Sequence, residues 1–91
     1  WTASGATMTE HVLDSPLQRA RGVIGRYPGP DDRYVIKYDS IDLRTVHMVG
    51  VFRPLYVQML VDDEVIEEAV LRPMIGNMRG LCNRVIERRA V

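Results

Sequence analysis

The sequence predicts an α+β domain, mostly β: a small rolled antiparallel sheet or partly open barrel with one short covering helix. Three observations predict it. Alternating or β-branched apolar runs recur at residues 33–39, 45–51, 55–61 and 65–71, the two-residue period of half-buried strands. Turn residues break those runs at short intervals, which suits sequential antiparallel strands. Only residues 15–25 carry helix punctuation at both ends.

Taken in order, residues 1–9 are small and polar and read as a frayed end or a short hairpin. Residues 10–13 alternate weakly and form a short strand. Ser15 then caps a helix, Pro16 suits its first position and Gln18 completes a capping box. Leu17, Ala20 and Ile24 share one face, and Gly25 stops the helix. Tyr27 to Asp32 is a loop, because two prolines flank a glycine. A strand over 33–39 sets Tyr34, Ile36 and Tyr38 against Val35 and Lys37, and residues 40–43 turn the chain. A strand over 45–51 puts Val46 and Met48 on one face and His47 and Val49 on the other. Gly50 and Arg53-Pro54 then imply a bulge and a corner.

The clearest signal is a hairpin of residues 55–61 and 65–71 with Asp62-Asp63 at its tip. Its core face should hold Leu55, Val57, Met59 and Val61. Residues 72–80 read as a long loop with Pro73 and two glycines. A last strand over 82–88 places Val85 and Glu87 opposite Cys82, Arg84, Ile86 and Arg88.

The chain of 91 residues supports one modest core, burying about 60–65% of the surface its unfolded form exposes. Residues 1–91 are therefore read as a single domain. The chain begins at Trp1 rather than Met, which leaves room for a missing start. The net charge is zero, so no global field gathers nucleic acid or anionic membrane. Cys82 is the single cysteine and cannot form an internal disulfide, and no apolar run reaches membrane-spanning length. The expectation is a soluble, cytoplasmic protein with no membrane and no nucleic-acid partner.

Catalytic and metal motifs are not found. The acids at Asp62, Asp63, Glu64, Glu67 and Glu68 lack the spacing of a calcium loop and read as a solvated hairpin tip. His11, His47 and Cys82 lie too far apart in sequence for a metal motif, so no metal or cofactor is expected. Charge is unusual in kind: eleven of the twelve basic residues are arginine. Arginine offers a planar donor fork suited to carboxylate and phosphate. Arg19, Arg21 and Arg26 form one group and Arg72 and Arg79 another, both beside glycine-containing segments. His47 stands inside an apolar strand.

Several short motifs resemble the uncharacterised domain-of-unknown-function family 192. Arg19-Ala-Arg-Gly22 is similar to its Arg-Ala-Arg-Gly-Leu-Met signature, and Val46-His-Met-Val-Gly-Val51 to its central His-Met segment. Pro54-Leu55 with Val57, Leu71-Arg-Pro73 with Gly76, and Val85-Ile-Glu87 resemble further motifs in order, over about residues 10 to 87. The resemblance implies a compact, mostly β fold with one early helix and no assignable activity. It points to Arg21, Gly22, His47, Met48, Pro54, Arg72 and Pro73 as the positions that matter. Tyr56 stands where the family usually has aspartate, and Met74 where it commonly has tryptophan.

These observations favour a binding or interaction module over an enzyme. The expected ligand is a small anion or an acidic segment held by Arg21, His47 and Arg72. Two alternatives are a hydrolase-like enzyme with His47 as general base and a structural module that pairs through a strand edge.

Overall fold

In the computed structural model, residues 9–13 and 27–90 are described. They form five strands: β1 (Thr9–Leu13), β2 (Asp32–His47), β3 (Leu55–Val61), β4 (Glu64–Leu71) and β5 (Asn77–Arg89). One open sheet joins them in the order β1-β2-β5-β3-β4.

Two features of the predicted fold class are corrected. The described residues are all-β, with no helix among them; the helix expected at 15–25 lies outside the described residues. The sheet is mixed, because β1 pairs parallel with β2, Thr9 against Asp32 through Leu13 against Ile36. Residues 14–31 separate the two strands, long enough for the crossover a parallel pair requires. β1 and β4 are the outer strands and do not pair, so the sheet does not close.

The hairpin forms where its alternation indicates. Leu55 faces Leu71 and Val61 faces Glu64. Leu55, Val57 and Met59 are buried, while Val61 is half-buried. At the tip Asp62 takes a left-handed φ of 55°, which aspartate tolerates better than most residues. Asn83 clamps it: the Asp62 N–H donates to Asn83 Oδ1 at 2.8 Å and Asn83 Nδ2 to Asp62 Oδ1 at 3.1 Å.

β2 is one long strand where a turn was expected at 40–43. Lys37 pairs with Arg84, and the next pair is Asp42 with Cys82, so residues 38–41 bulge rather than reverse the chain. The last strand also starts earlier than expected, at Asn77. Its phase changes at the same irregularity, so Cys82 is buried together with Val85 instead of opposite it.

Chain reach shows that the β2–β5 ribbon folds back. Leu71 and Arg89 both flank Leu55, yet Asn77 is the far end of β5 from Arg89. Six steps from Leu71 to Asn77 span at most about 20 Å, whereas a straight β5 would run about 40 Å. The bulge supplies the bend. A Cβ on Gly80 would accordingly sit 3.1 Å from the Met59 sulfur. The core gathers inside this fold: Leu13, Tyr34, Ile36, Met48, Val51, Leu55, Val57, Met59, Leu71, Met78, Cys82 and Val85.

The fold-back also brings two loops together. Gly50 takes φ 86° in a turn closed by the Val51 N–H on the Met48 carbonyl at 2.9 Å; glycine is favoured there because a side chain rarely adopts that φ. The Met48 N–H donates to the Gly76 carbonyl and the Met74 N–H to the Val51 carbonyl, both at 3.0 Å. Gly76 is needed for a different reason: a Cβ there would lie 2.7 Å from the Arg72 backbone nitrogen.

Candidate functional site

Residues 27–31 lead into β2 at the end of the sheet where β3 begins and β5 finishes. Asp32 anchors this corner. It accepts a hydrogen bond from the Gly29 N–H at 3.0 Å, and its other oxygen lies 3.2 Å from His11 Nε2. The bond to His11, and then that from Gly29, hold its carboxyl below the usual range. The His11 ring stacks on Tyr34 with centroids 4.8 Å apart. Asp32 is thus an ionised group already occupied by its own neighbours.

Tyr27 gathers two arginines beside that corner. Its hydroxyl donates to the Pro54 carbonyl, and the guanidinium carbons of Arg53 and Arg89 each lie 5.4 Å from its ring centroid. Arg89 Nε also donates to the Pro28 carbonyl at 3.2 Å. Arg53 is exposed and Arg89 half-buried. Neither guanidinium lies within ion-pair distance of a carboxylate among the described residues, although the Arg89 charge is near enough to help lower the Asp32 carboxyl. A guanidinium attracted to an aromatic ring can still use its remaining N–H groups as donors.

Glu87 lies two residues before Arg89 on β5, between Tyr34 of β2 and Val57 of β3. It is 5% exposed, and one carboxyl oxygen has no hydrogen-bond partner. Burial pushes its pKa up to about 7. The alternation of β5 already puts Glu87 on the Val85 face. Its burial follows from the strands on both sides, which local sequence does not announce.

The residues expected to bind fall as follows. His47 ends β2 and is exposed, opposite Asn77. Arg72 is exposed just after β4, and the Gly76 N–H donates to its carbonyl at 3.0 Å. Met48 and Gly76 therefore tie the two segments at one end of the molecule, but no hydrogen bond or ion pair joins the His47 and Arg72 side chains. Arg21 lies outside the described residues. Arg53 and Arg89 were not chosen from sequence as ligand residues. Arg53 shares a signal with Arg72: residues 43–61 and 69–86 contain no Asp or Glu. Arg89, two residues after Glu87, carries no such signal.

Other charges are committed elsewhere. Arg33 pairs with Glu10, and Arg84 with Asp63 at 2.9 Å. The Tyr56 hydroxyl donates to Glu68 at 2.7 Å, a bond that raises the phenol pKa, while Arg88 lies 4.7 Å from the Tyr56 ring. Cys82 is fully buried, and burial pushes its thiol pKa up, which makes it a poor nucleophile. Among the described residues, no group of three or more His, Cys, Asp or Glu is placed to hold a metal ion. No helix among them is long and apolar enough to cross a membrane.

No protein-family description matches the chain, and no curated protein does. Two solved structures resemble it. A protein of unknown function from Novosphingobium aromaticivorans DSM 12444 superposes with a TM-score of 0.78 at 18% identity, over 91% of this chain and 64% of that one. A protein from Sinorhizobium meliloti 1021, described as "a putative transcription regulator", gives 0.73 at 21% identity, over 91% of this chain and 69% of that one. This chain thus spans under two thirds of the first neighbour's length, and at these identities the likeness is one of fold.

Proposed function

We propose that this small domain is a binding module whose arginine-rich end captures a small anion or the acidic group of a larger partner. The observation that carries this is the pair of guanidinium groups, Arg53 and Arg89, beside the Tyr27 ring with no close ion pair among the described residues, Arg89 feeling Asp32 only at longer range. An anion between the two forks would receive charge-assisted hydrogen bonds from both. Arg72 and His47, both exposed, would add donors in this reading, His47 more strongly when protonated. Arg21, which lies outside the described residues, would join them in this reading. The hydrolase alternative finds less support, because His47 hydrogen-bonds no acid or nucleophile among the described residues.

Thermal unfolding with sulfate, phosphate and short dicarboxylates, against chloride at matched ionic strength, tests the reading. A ligand at about tenfold excess over its Kd stabilises by about 1.4 kcal/mol, or roughly 5–10 °C in a domain of this size. Arg53→Lys and Arg89→Lys should each reduce the shift, since lysine keeps the charge but lacks the fork. A Tm equal in all anions removes the small-anion site.

A further inference from the structure

Charge on this chain is segregated. Residues 43–61 and 69–86 hold five arginines and His47 and no acid, whereas five acids fall within residues 62–68. Of these arginines Arg84 pairs with Asp63 at the acidic tip, while Arg53 and Arg72 are exposed at the loop end. That loop end and the acidic β4 edge both expose apolar side chains. At the basic end Val49, Phe52, Met74 and Ile75 stand on the two loops joined by the Met74 N–H to Val51 carbonyl bond. Phe52 is 77% exposed and Ile75 71%. On the outer strand β4, Val65 and Ile66 lie exposed beside Glu67 and Glu68 around an open depression of about 300 Å³.

Local partners leave part of this charge unneutralised. Asn83 and Arg84 hold Asp62 and Asp63, and Tyr56 holds Glu68. Glu64, Glu67 and Arg72 make no ion pair among the described residues. Arg72 cannot reach Glu67 within one molecule: five steps of extended chain separate them, about 16 Å. With zero net charge, copies of the chain do not repel one another at long range.

We propose that the basic, apolar loop tip docks on the acidic β4 edge of a second copy of this chain. Phe52 and Ile75 would pack against Val65 and Ile66, and Arg72 would pair with Glu67. The inference rests on the reading of this end as a capture surface for acidic groups, and it names the acidic partner. The two surfaces differ, so the contact is heterologous and copies join head to tail, in a ring or a chain. An anionic bilayer would suit the same tip but would make no use of β4.

Sedimentation velocity from micromolar to about 1 mM protein, at low and high salt, tests this. Mass should rise with concentration, and less so at high salt. Arg72→Glu, Glu67→Arg and Phe52→Ser should each weaken association about tenfold or more. All three positions are exposed, and circular dichroism would verify that each variant folds. A chain carrying both charge reversals should regain association, because its reversed tip again meets a reversed edge. A monomer at every concentration overturns the proposal, as does association insensitive to the single substitutions or not restored in the double. Phe52-dependent binding of a monomeric protein to phosphatidylserine vesicles overturns it in favour of a lipid surface. A monomer that sulfate still stabilises leaves the small-anion reading standing. Self-association without any anion shift removes that reading alone.

Discussion

Glu87 is the residue whose chemistry departs furthest from its ordinary state. Its carboxyl is displaced from 4.5 to about 7 by burial alone. Between those values the folded protein holds a proton that the unfolded chain has released. Its stabilising contribution is therefore fully present below pH 4.5 and lost as pH rises through 7. A displacement of that size is worth about 3 kcal/mol. Asp32 acts in the opposite sense and in a different window: its lowered pKa gives stability that is present above its ordinary value and lost as pH falls through the lowered one. Urea unfolding should thus show wild-type stability falling between pH 5 and pH 8 by up to that amount, and Glu87→Gln should flatten the fall. An equal fall in both proteins would move the titrating group elsewhere.

At the scale of elements, the β3–β4 hairpin illustrates how far local pattern reaches. Leu55, Val57 and Met59 are each fully buried, as strict alternation requires when one face of a sheet meets the core. Met59 also lies under the folded-back arm near Gly80, so Met59→Ala should leave a cavity that neighbouring strands cannot close. A loss of about 2–4 kcal/mol is expected in chemical denaturation; under about 1 kcal/mol would mean that the arm collapses to fill the space. Beyond Met59 the pattern fails. Met59 faces Glu67 and Leu60 faces Val65, a shift that leaves Ile66 unpaired and lets Leu60 be buried beside Met59. Where the ribbon bulges between Lys37 and Asp42, Asp39, Ser40 and Asp42 look like turn residues. They make a bend instead, because β5 continues alongside on both sides of it.

For the whole molecule, strand order sets the gradation of stability. β5 lies between β2 and β3, while β1 and β4 each have one neighbour. Amide hydrogen exchange should be slowest in β5, near residues 84–87, and fastest in β1. Protection in β1 equal to that in β5 would show that the parallel strand unfolds only with the rest. Uniform sharing of that kind would also mean that the residues connecting β1 to β2 contribute more than an edge pairing does.

Local pattern alone dictates the β-rich class, the hairpin with its Asp62-Asp63 tip, the Val46/Met48 against His47/Val49 alternation, and the placing of Val85 and Glu87 on one face. All of these follow from a two-residue period or a turn, signals carried within a few residues. Long-range packing sets the parallel placement of β1, the bend of the β2–β5 ribbon, the burial of Glu87 and the approach of Arg53 and Arg89 to Tyr27. Those depend on strands that are distant in sequence, and local propensity carries no information about which distant strand becomes a neighbour. The acid-free stretches around Arg53 and Arg72 stand in the sequence, yet nothing local shows that they meet. The fold-back joins them at one end of the molecule.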